Sequence, residues 1–191
     1  MPLAGAGVPP AQGGSIMAAH PVLAAHRCMT TVLLSLGSNV QPEHYLAAAV
    51  AALRERFGTI RVSPAYRTPA VGFDGPAFLN NAVVIQTDWP LAQIEQWLHA
   101  LEDAHGRDRS GPRFSDRTLD VDVVFYGDTV IIEAGQQRIP RPELKHAFVL
   151  QPLADVAPDF VDPVSGQTLA ALWQAHRQHG QAVEVVALAG V

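Results

Sequence analysis

The stretch Leu119-Asp120-Val121-Asp122-Val123-Val124-Phe125-Tyr126 alternates apolar and acidic residues in its first half and is then wholly apolar. Side chains of a β-strand point alternately to the two faces of a sheet, so this stretch predicts a half-buried strand. Asp120 and Asp122 then share one face, with Cα atoms about 7 Å apart. The opposite face is predicted to carry Leu119, Val121, Val123 and Phe125.

Three further strands and two helices are predicted upstream of this stretch. Apolar or β-branched runs indicate strands at 32–36, 59–67 and 81–87. Apolar residues at helical spacing indicate one helix over 42–57 and a second from Leu91 onward, with Asp88 as its predicted cap. The order strand, helix, strand, strand, helix, strand is that of an α+β, ferredoxin-like split βαβ sandwich, with a mainly antiparallel sheet.

The two ends of the chain differ in composition from this middle part. Residues 1–28 are rich in Ala, Gly and Pro without periodicity, which predicts a disordered N-terminal extension. Met29 directly precedes the first strand, and our hypothesis is that it is the natural start. We predict one domain over 29–178, which ends with short helices near 148–153 and 169–176, and a C-terminal tail over 179–191.

Composition limits the class of protein. A chain of 191 residues that is 48% hydrophobic can bury one substantial core, and its net charge of −5 argues against a protein that coats nucleic acid. The single cysteine excludes an intrachain disulfide and fits a reducing compartment. No run approaches the roughly 20 apolar residues of a membrane span, and no secretory signal is recognisable. We expect a cytoplasmic monomer or weak dimer without nucleic-acid or membrane partners.

An arginine-rich loop precedes the two aspartates. Four of the twelve arginines, Arg107, Arg109, Arg113 and Arg117, fall within eleven residues. Guanidinium groups bind phosphate oxygens in pairs, and neighbouring carboxylates suit a hard cation such as Mg²⁺. Together they favour a metal-bound polyphosphate over a merely solvated strand and loop. The chain lacks the G-x-x-x-x-G-K-[ST] run, so this is not a P-loop site.

Aromatic residues in or beside predicted loops indicate a second kind of ligand. Phe78, Phe114 and Phe148 lie in such segments, and Asn80 follows Phe78 closely. Flat aromatic faces and an amide suit a flat heterocycle with a donor and acceptor edge. On pattern alone, such residues more often belong to the edge of the core. Glu102, interpreted as an exposed helical carboxylate, says little by itself.

Six motifs occur in order over residues 29–173. They are Leu36-Gly37-Ser38-Asn39, Tyr66-Arg67-Thr68-Pro69, Phe78-Leu79-Asn80, Glu102 with Gly106-Arg107-Asp108-Arg109, Arg117-Thr118-Leu119-Asp120-Val121-Asp122, and Phe148-Val149-Leu150 with Pro152-Leu153. Together they resemble the 6-hydroxymethyl-7,8-dihydropterin pyrophosphokinases of folate biosynthesis. The resemblance implies a ferredoxin-like fold and transfer of diphosphate from ATP to the hydroxymethyl group of the pterin, with release of AMP.

The resemblance also implies a role for each matching position. Asp120 and Asp122 would hold two Mg²⁺ ions, and Arg107 and Arg117 would be catalytic by neutralising charge on the transferred group. The implied ATP-binding residues are Glu102, Arg109, Arg113, Arg141, Lys145 and His146. The implied pterin-binding residues are Gly37, Thr68, Pro69, Val71, Phe78, Asn80, Phe114 and Phe148.

The chain departs from the family pattern in two places. Ser115-Asp116-Arg117 stands where the family usually has Gly-Pro-Arg, and Asp116 adds a negative charge beside the phosphate site. Pro140-Arg141 and Lys145-His146 replace the family's Pro-His and later arginine. Two alternatives stay open: a divergent paralogue acting on another pterin, and a non-catalytic pterin- or nucleotide-binding protein. An RNA-binding sheet is disfavoured because the aspartates would repel phosphate, and a magnesium-dependent phosphohydrolase would consume ATP without pterin.

Overall fold

The computed structural model describes residues 29–70, 72, 74–107, 116–177 and 184–188. The strands are β1 Thr30–Ser38, β2 Arg61–Val62, β3 Ala65–Thr68, β4 Phe78–Thr87, β5 Asp120–Tyr126, β6 Ile131–Glu133, β7 Gln136–Ile139 and β8 Glu184–Val186. The helices are α1 Pro42–Phe57, α2 Leu91–Ala104, α3 Ala147–Val156 and α4 Leu169–Arg177, with a 3₁₀ turn at Pro142–Lys145. None of the helices within these ranges has the length and apolar character that crossing a membrane requires.

The main sheet has the order β5-β1-β4-β3-β8, and its strands pair antiparallel. β2 and β3 both pair with β4, and the register moves by one residue between them, at Ser63 and Pro64. Pro64 has no N–H to donate to a ladder, and the Ser63 hydroxyl accepts a hydrogen bond from the backbone N–H of Ala82 at 2.8 Å. The predicted order of strands and helices along the chain is confirmed. Within the sheet, β1 and β4 are central.

The two faces of the sheet are covered by different helices. α1 and α2 pack on one face, where residues such as Leu34, Leu46 and Leu98 are almost fully buried. α3 and the start of α4 pack on the other face, around residues such as Leu33 and Leu153. This second face is called the α3 face below.

A β-bulge in β5 changes the predicted alternation. Leu33 pairs with Phe125 and Leu34 with Val123, which leaves Val124 without a partner on β1. The extra residue rotates the chain after it, so Phe125 points to the α3 face and its ring lies 4.9 Å from that of Phe160. The prediction that Phe125 shares a face with Val123 is therefore wrong.

The start of α2 and the C-terminal part of the chain also differ from expectation. α2 begins at Leu91 with Pro90 as its cap, whose carbonyl accepts from Gln93 N at 2.9 Å, so the predicted cap at Asp88 is wrong. The sequence pattern indicates no element after 178, yet β8 pairs with β3 there. The predictions for residues 1–28 fall outside the described residues.

Candidate active site

Several of the predicted site residues meet at one edge of the α3 face, where β1 and β3 end and β4 and β5 begin. Gly37 pairs with Asn80 of β4 on one side and with Asp120 of β5 on the other, and Asn80 also pairs with Tyr66 of β3. Residues directly opposite on neighbouring strands share a face. Asp120, Gly37, Asn80 and Tyr66 therefore form one row across the sheet, which we call the site row.

The centre of the site row is packed closely around Gly37. A Cβ at this position would lie 3.0 Å from Asn80 Oδ1 and 3.8 Å from Phe78 Cδ1. The Asn80 carboxamide is buried, and its Nδ2 donates to Thr68 Oγ1 at 2.9 Å. This hydrogen bond fixes which way the amide faces, so the residues implied to bind the pterin come together with a defined donor and acceptor edge.

α3 carries the second predicted aromatic residue. Phe148 lies in its first turn and stacks on the His146 ring at 5.1 Å between centroids and 9° between planes. Burial and the neighbouring Lys145 lower the pKa of His146. Tyr66 of the site row donates its hydroxyl to the Asp155 carboxylate of α3. Burial and this bond raise the pKa of Tyr66 to about 12.

Three arginines pair with the two strand aspartates. Arg107 Nη2 lies 3.1 Å from Asp120 Oδ1, and Arg117 binds the other oxygen of the same carboxylate. Arg141 binds Asp122. Both predicted catalytic arginines and one predicted ATP-binding arginine thus reach the carboxylates. Asp120 lies opposite Gly37 of β1 and Asp122 opposite Ser35, which confirms that both aspartates project from one face of β5.

Asp122 has an unusual electrostatic environment. Burial raises the pKa of its carboxyl group to about 6, while the Arg141 guanidinium opposes this rise. The negative charges of Asp120, Glu102 and Glu143 add to the increase. A cation placed between Asp120 and Asp122 would favour the ionised form of both carboxylates.

The donor set fits Mg²⁺ that arrives with phosphate. Across the part of the chain that the structure describes, no three His, Cys, Asp or Glu side chains form a metal-binding group. Mg²⁺ is commonly held by one or two protein carboxylates, with water and substrate phosphates as its remaining ligands. Asp120 and Asp122 supply two carboxylates of that kind, whereas a closed protein cage would need more.

Glu102 is buried rather than exposed, which corrects the interpretation made from its helical position. Its side chain is 5% exposed, and Oε1 accepts from the backbone N–H of Val121 at 2.8 Å. Among the strands that the structure describes, β5 lies at the end of the sheet, so this N–H has no strand partner on that side. Glu102 therefore joins the end of α2 to the strand that carries the aspartates.

Arg141 is positioned by the bulge. Its backbone N–H donates to the carbonyl of Val124, the bulged residue, at 3.1 Å.

Lys145 ends the following 3₁₀ turn and is exposed, and Pro69 follows β3 and is also exposed. The remaining predicted site residues, Val71, Arg109, Arg113 and Phe114, lie outside the described residues.

Sequence reasoning gave no role to two residues that hold the site together. Tyr66 fixes α3 on the sheet, and the side chain of Asn39 binds the segment at Arg117. Both residues stand within motifs that carried the family resemblance. Their place within these motifs was the one sequence signal for a role of Tyr66 and Asn39 in the site. The residues that they contact are seen only in the folded chain.

Comparison with known proteins identifies the family. The family model described as 7,8-dihydro-6-hydroxymethylpterin-pyrophosphokinase (HPPK) matches residues 33–158. A 2-amino-4-hydroxy-6-hydroxymethyldihydropteridine pyrophosphokinase of Synechocystis sp. is 38% identical over 144 residues, which cover 73% of each chain. A protein of the same name from Porphyromonas gingivalis is 33% identical over 136 residues, covering 68% of this chain and 92% of that one.

Solved structures support the fold. Plasmodium falciparum HPPK-DHPS, solved with pterin and p-hydroxybenzoate, has a TM-score of 0.61 at 15% identity over 82% of this chain. An HPPK-DHPS in complex with substrates has a TM-score of 0.62 at 13% identity over 80% of this chain. This chain spans about 45% of the first protein and 44% of the second. The ferredoxin-like fold is thereby confirmed, and the chain belongs to the 7,8-dihydro-6-hydroxymethylpterin-pyrophosphokinase family, whose members are ATP-dependent diphosphotransferases.

Proposed function

We propose that this chain transfers the diphosphate group of ATP to the hydroxymethyl group of 6-hydroxymethyl-7,8-dihydropterin in folate biosynthesis and releases AMP. The hydroxyl oxygen forms a bond to the β-phosphorus, the bond from that phosphorus to the bridging oxygen of the α-phosphate breaks, and the hydroxyl proton is lost. The observation that carries the proposal is the site row. In it, Asp120, which is proposed to bind the metal, lies on the same line across the sheet as Gly37 and Asn80, which are proposed to bind the pterin.

The pterin half of the proposed site would suit a flat ring with a polar edge. Phe78 and Phe148 would offer aromatic faces on the two sides of the ring. Asn80 and Thr68, already joined at 2.9 Å, would bind its polar edge. Gly37 would leave the space that a larger side chain would fill. Pro69, Val71 and Phe114 complete the proposed set.

The carboxylate half of the site would hold the metal. Asp120 and Asp122 are the proposed ligands of two Mg²⁺ ions, which when bound would neutralise and orient the phosphate oxygens. The arginines that pair with these carboxylates would then bind phosphate oxygens. The site therefore carries positive charge that suits an anionic ligand.

The arginines would supply most of the remaining catalysis. Phosphoryl-type transfer needs little covalent help and depends on positioning and electrostatic stabilisation. Arg107 and Arg117 would stabilise the negative charge that moves from the β-phosphorus to the leaving AMP oxygen. The proposed nucleotide-binding residues are Glu102, Arg109, Arg113, Arg141, Lys145 and His146.

AMP release tests the function directly. We would measure AMP formed from ATP and Mg²⁺, with and without 6-hydroxymethyl-7,8-dihydropterin, on the wild-type chain, on Asp122→Ala and on the control Asp128→Ala. Asp128 is an exposed acidic residue just after β5, away from the site row. We expect pterin-dependent AMP in the wild type and the control and none in Asp122→Ala.

The other outcomes separate the alternatives. ATP loss without pterin would indicate a phosphohydrolase, and binding of pterin or ATP without AMP formation would indicate a binding protein. AMP formation only with a different pterin would indicate the divergent paralogue. The cytoplasmic location and the monomeric or weakly dimeric state stay predictions, which cell fractionation and analytical ultracentrifugation would test.

A further inference from the structure

The side chain of Asn39 joins three segments that are distant in sequence. It is 5% exposed and lies just after β1. Its Nδ2 donates to Asp116 Oδ1 at 2.8 Å and lies 3.4 Å from the carbonyl oxygen of Pro76, while its Oδ1 accepts from the backbone N–H of Arg117 at 2.7 Å. Both ends of the carboxamide are therefore used.

The backbone of Asn39 adds to this contact. Asn39 N donates to the carbonyl of Arg117 at 3.0 Å, and Val40 N lies 3.3 Å from the same oxygen. Both backbone polar groups of Arg117 are thus held by the turn between β1 and α1. At its other end, the Arg117 guanidinium reaches Asp120 of the site row.

We propose that Asn39 is a positioning residue for diphosphate transfer. It fixes the backbone of Arg117 so that the guanidinium group stands at the reacting phosphate, and it links this segment to Pro76, two residues before Phe78 of the pterin half. This inference rests on the proposed role of Arg117. Because an arginine acts on the transition state through its placement, a shift of about 1 Å lowers the rate by about 100-fold.

The same contact gives Asp116 a function. Asp116 is exposed, and its carboxylate accepts a hydrogen bond from Asn39. The Asn39–Asp116 hydrogen bond would restrain the backbone beside Arg117.

An exchange of the two side chains tests the proposal. N39D keeps an oxygen that accepts from the Arg117 N–H, but it places a second carboxylate beside that of Asp116. D116N keeps an amide oxygen that accepts from Asn39. The double variant N39D/D116N restores one donor and one acceptor between positions 39 and 116 with their roles exchanged, while the 3.4 Å contact to the Pro76 carbonyl stays lost. We expect N39D to lower kcat by about 10-fold or more with KM for ATP and pterin within about 3-fold. D116N and the double variant should stay within about 3-fold of the wild-type kcat.

A matched control separates positioning from stability. Thr87 is also buried, and its hydroxyl accepts from Trp89 N at 3.1 Å, at the opposite end of β4. T87V removes a buried side-chain bond far from the site and should lower the melting temperature without changing kcat. If N39D and T87V lower kcat equally at equal loss of stability, or if the double variant recovers stability but not kcat, the proposal is overturned.

Hydrogen exchange gives a readout that does not need activity. We expect the Arg117 amide to exchange about 10-fold faster or more in N39D and in D116A, while amides within β1 keep their wild-type rates. D116A changes an exposed residue and serves if N39D fails to fold. Unchanged exchange at Arg117 in D116A would overturn the proposal. If the wild type forms no AMP, the proposed function fails, and the exchange rates still decide whether Asn39 holds Arg117.

Discussion

Gly37→Ala is the most direct test of the pterin half of the site. A Cβ built at this position lies 3.0 Å from Asn80 Oδ1, whereas carbon-to-oxygen contacts of this kind are normally about 3.3–3.6 Å. The shortfall is therefore about 0.3–0.6 Å. Gly37 does not have a positive φ, so the backbone itself accepts alanine and only the side-chain contact opposes it.

The Asn80 carboxamide has little room to respond. Its Nδ2 is 2.9 Å from Thr68 Oγ1, and turning the amide away from a new Cβ would break this buried hydrogen bond. Leaving such groups unsatisfied costs about 1–3 kcal/mol. Replacing glycine with alanine by itself stabilises a protein by about 0.4–1 kcal/mol because it lowers the conformational entropy of the unfolded chain. We expect a net loss of about 1–2 kcal/mol in the free energy of unfolding.

Binding should fall together with stability. Losing one oriented hydrogen bond at the ring edge corresponds to about 10-fold weaker pterin binding, while ATP binding should not change. Urea unfolding and pterin titration would measure both quantities, with Thr31→Ala as the control on the same strand and face. Thr31 lies at the other end of β1, where its hydroxyl accepts from the exposed Gln86. Wild-type pterin affinity in a folded Gly37→Ala variant would refute the reasoning.

Three further changes have distinct expected results. Arg107→Ala should lower kcat for AMP formation by about 100-fold or more because its guanidinium serves the transition state, whereas Arg61→Ala, an exposed arginine on β2, should not. Phe148→Ala should weaken pterin binding in a fluorescence titration by about 10-fold without changing ATP binding, through loss of one aromatic face. Tyr66→Phe removes the hydroxyl whose pKa is raised to about 12 in the folded chain. Since the folded state prefers the protonated phenol, the wild type should lose stability as the pH rises from about 10 to 12, and the variant should lack this loss in urea unfolding measured across that range.

Local patterns in the sequence predicted most of the fold. Helical spacing in α1 and α2 and the apolar runs of β1 and β4 gave the order of elements correctly because each pattern lies within one segment. The bulge at Val124 could not be predicted in this way. Val123, Val124 and Phe125 are all apolar, so either face of the sheet accepts them, and only pairing with β1 decides which residue is extra.

Site residues could be predicted where the alternation within one strand or a sequence motif marks them, but contacts between distant segments could not. Asp120 and Asp122 precede the bulge, and plain alternation therefore placed them on one face correctly. Glu102 was misjudged because helical spacing alone does not show that its carboxylate is buried against β5. The pairing of Arg141 with Asp122 was not predicted either, because it depends on a carbonyl that only the bulge presents at the edge of the sheet.

The free edge of β5 explains how two like charges are tolerated on one strand. Its outward N–H at Val121 binds Glu102, and its carbonyl at Val124 binds the backbone of Arg141, whose guanidinium then pairs with Asp122. Two arginines pair with Asp120. These arginines oppose the repulsion between the two carboxylates, and the charge of Asp120 still contributes to the raised pKa of Asp122. In the proposed complex Asp120 and Asp122 would hold Mg²⁺ and the arginines would bind phosphate oxygens, so each of these charged groups would still have an opposite charge beside it.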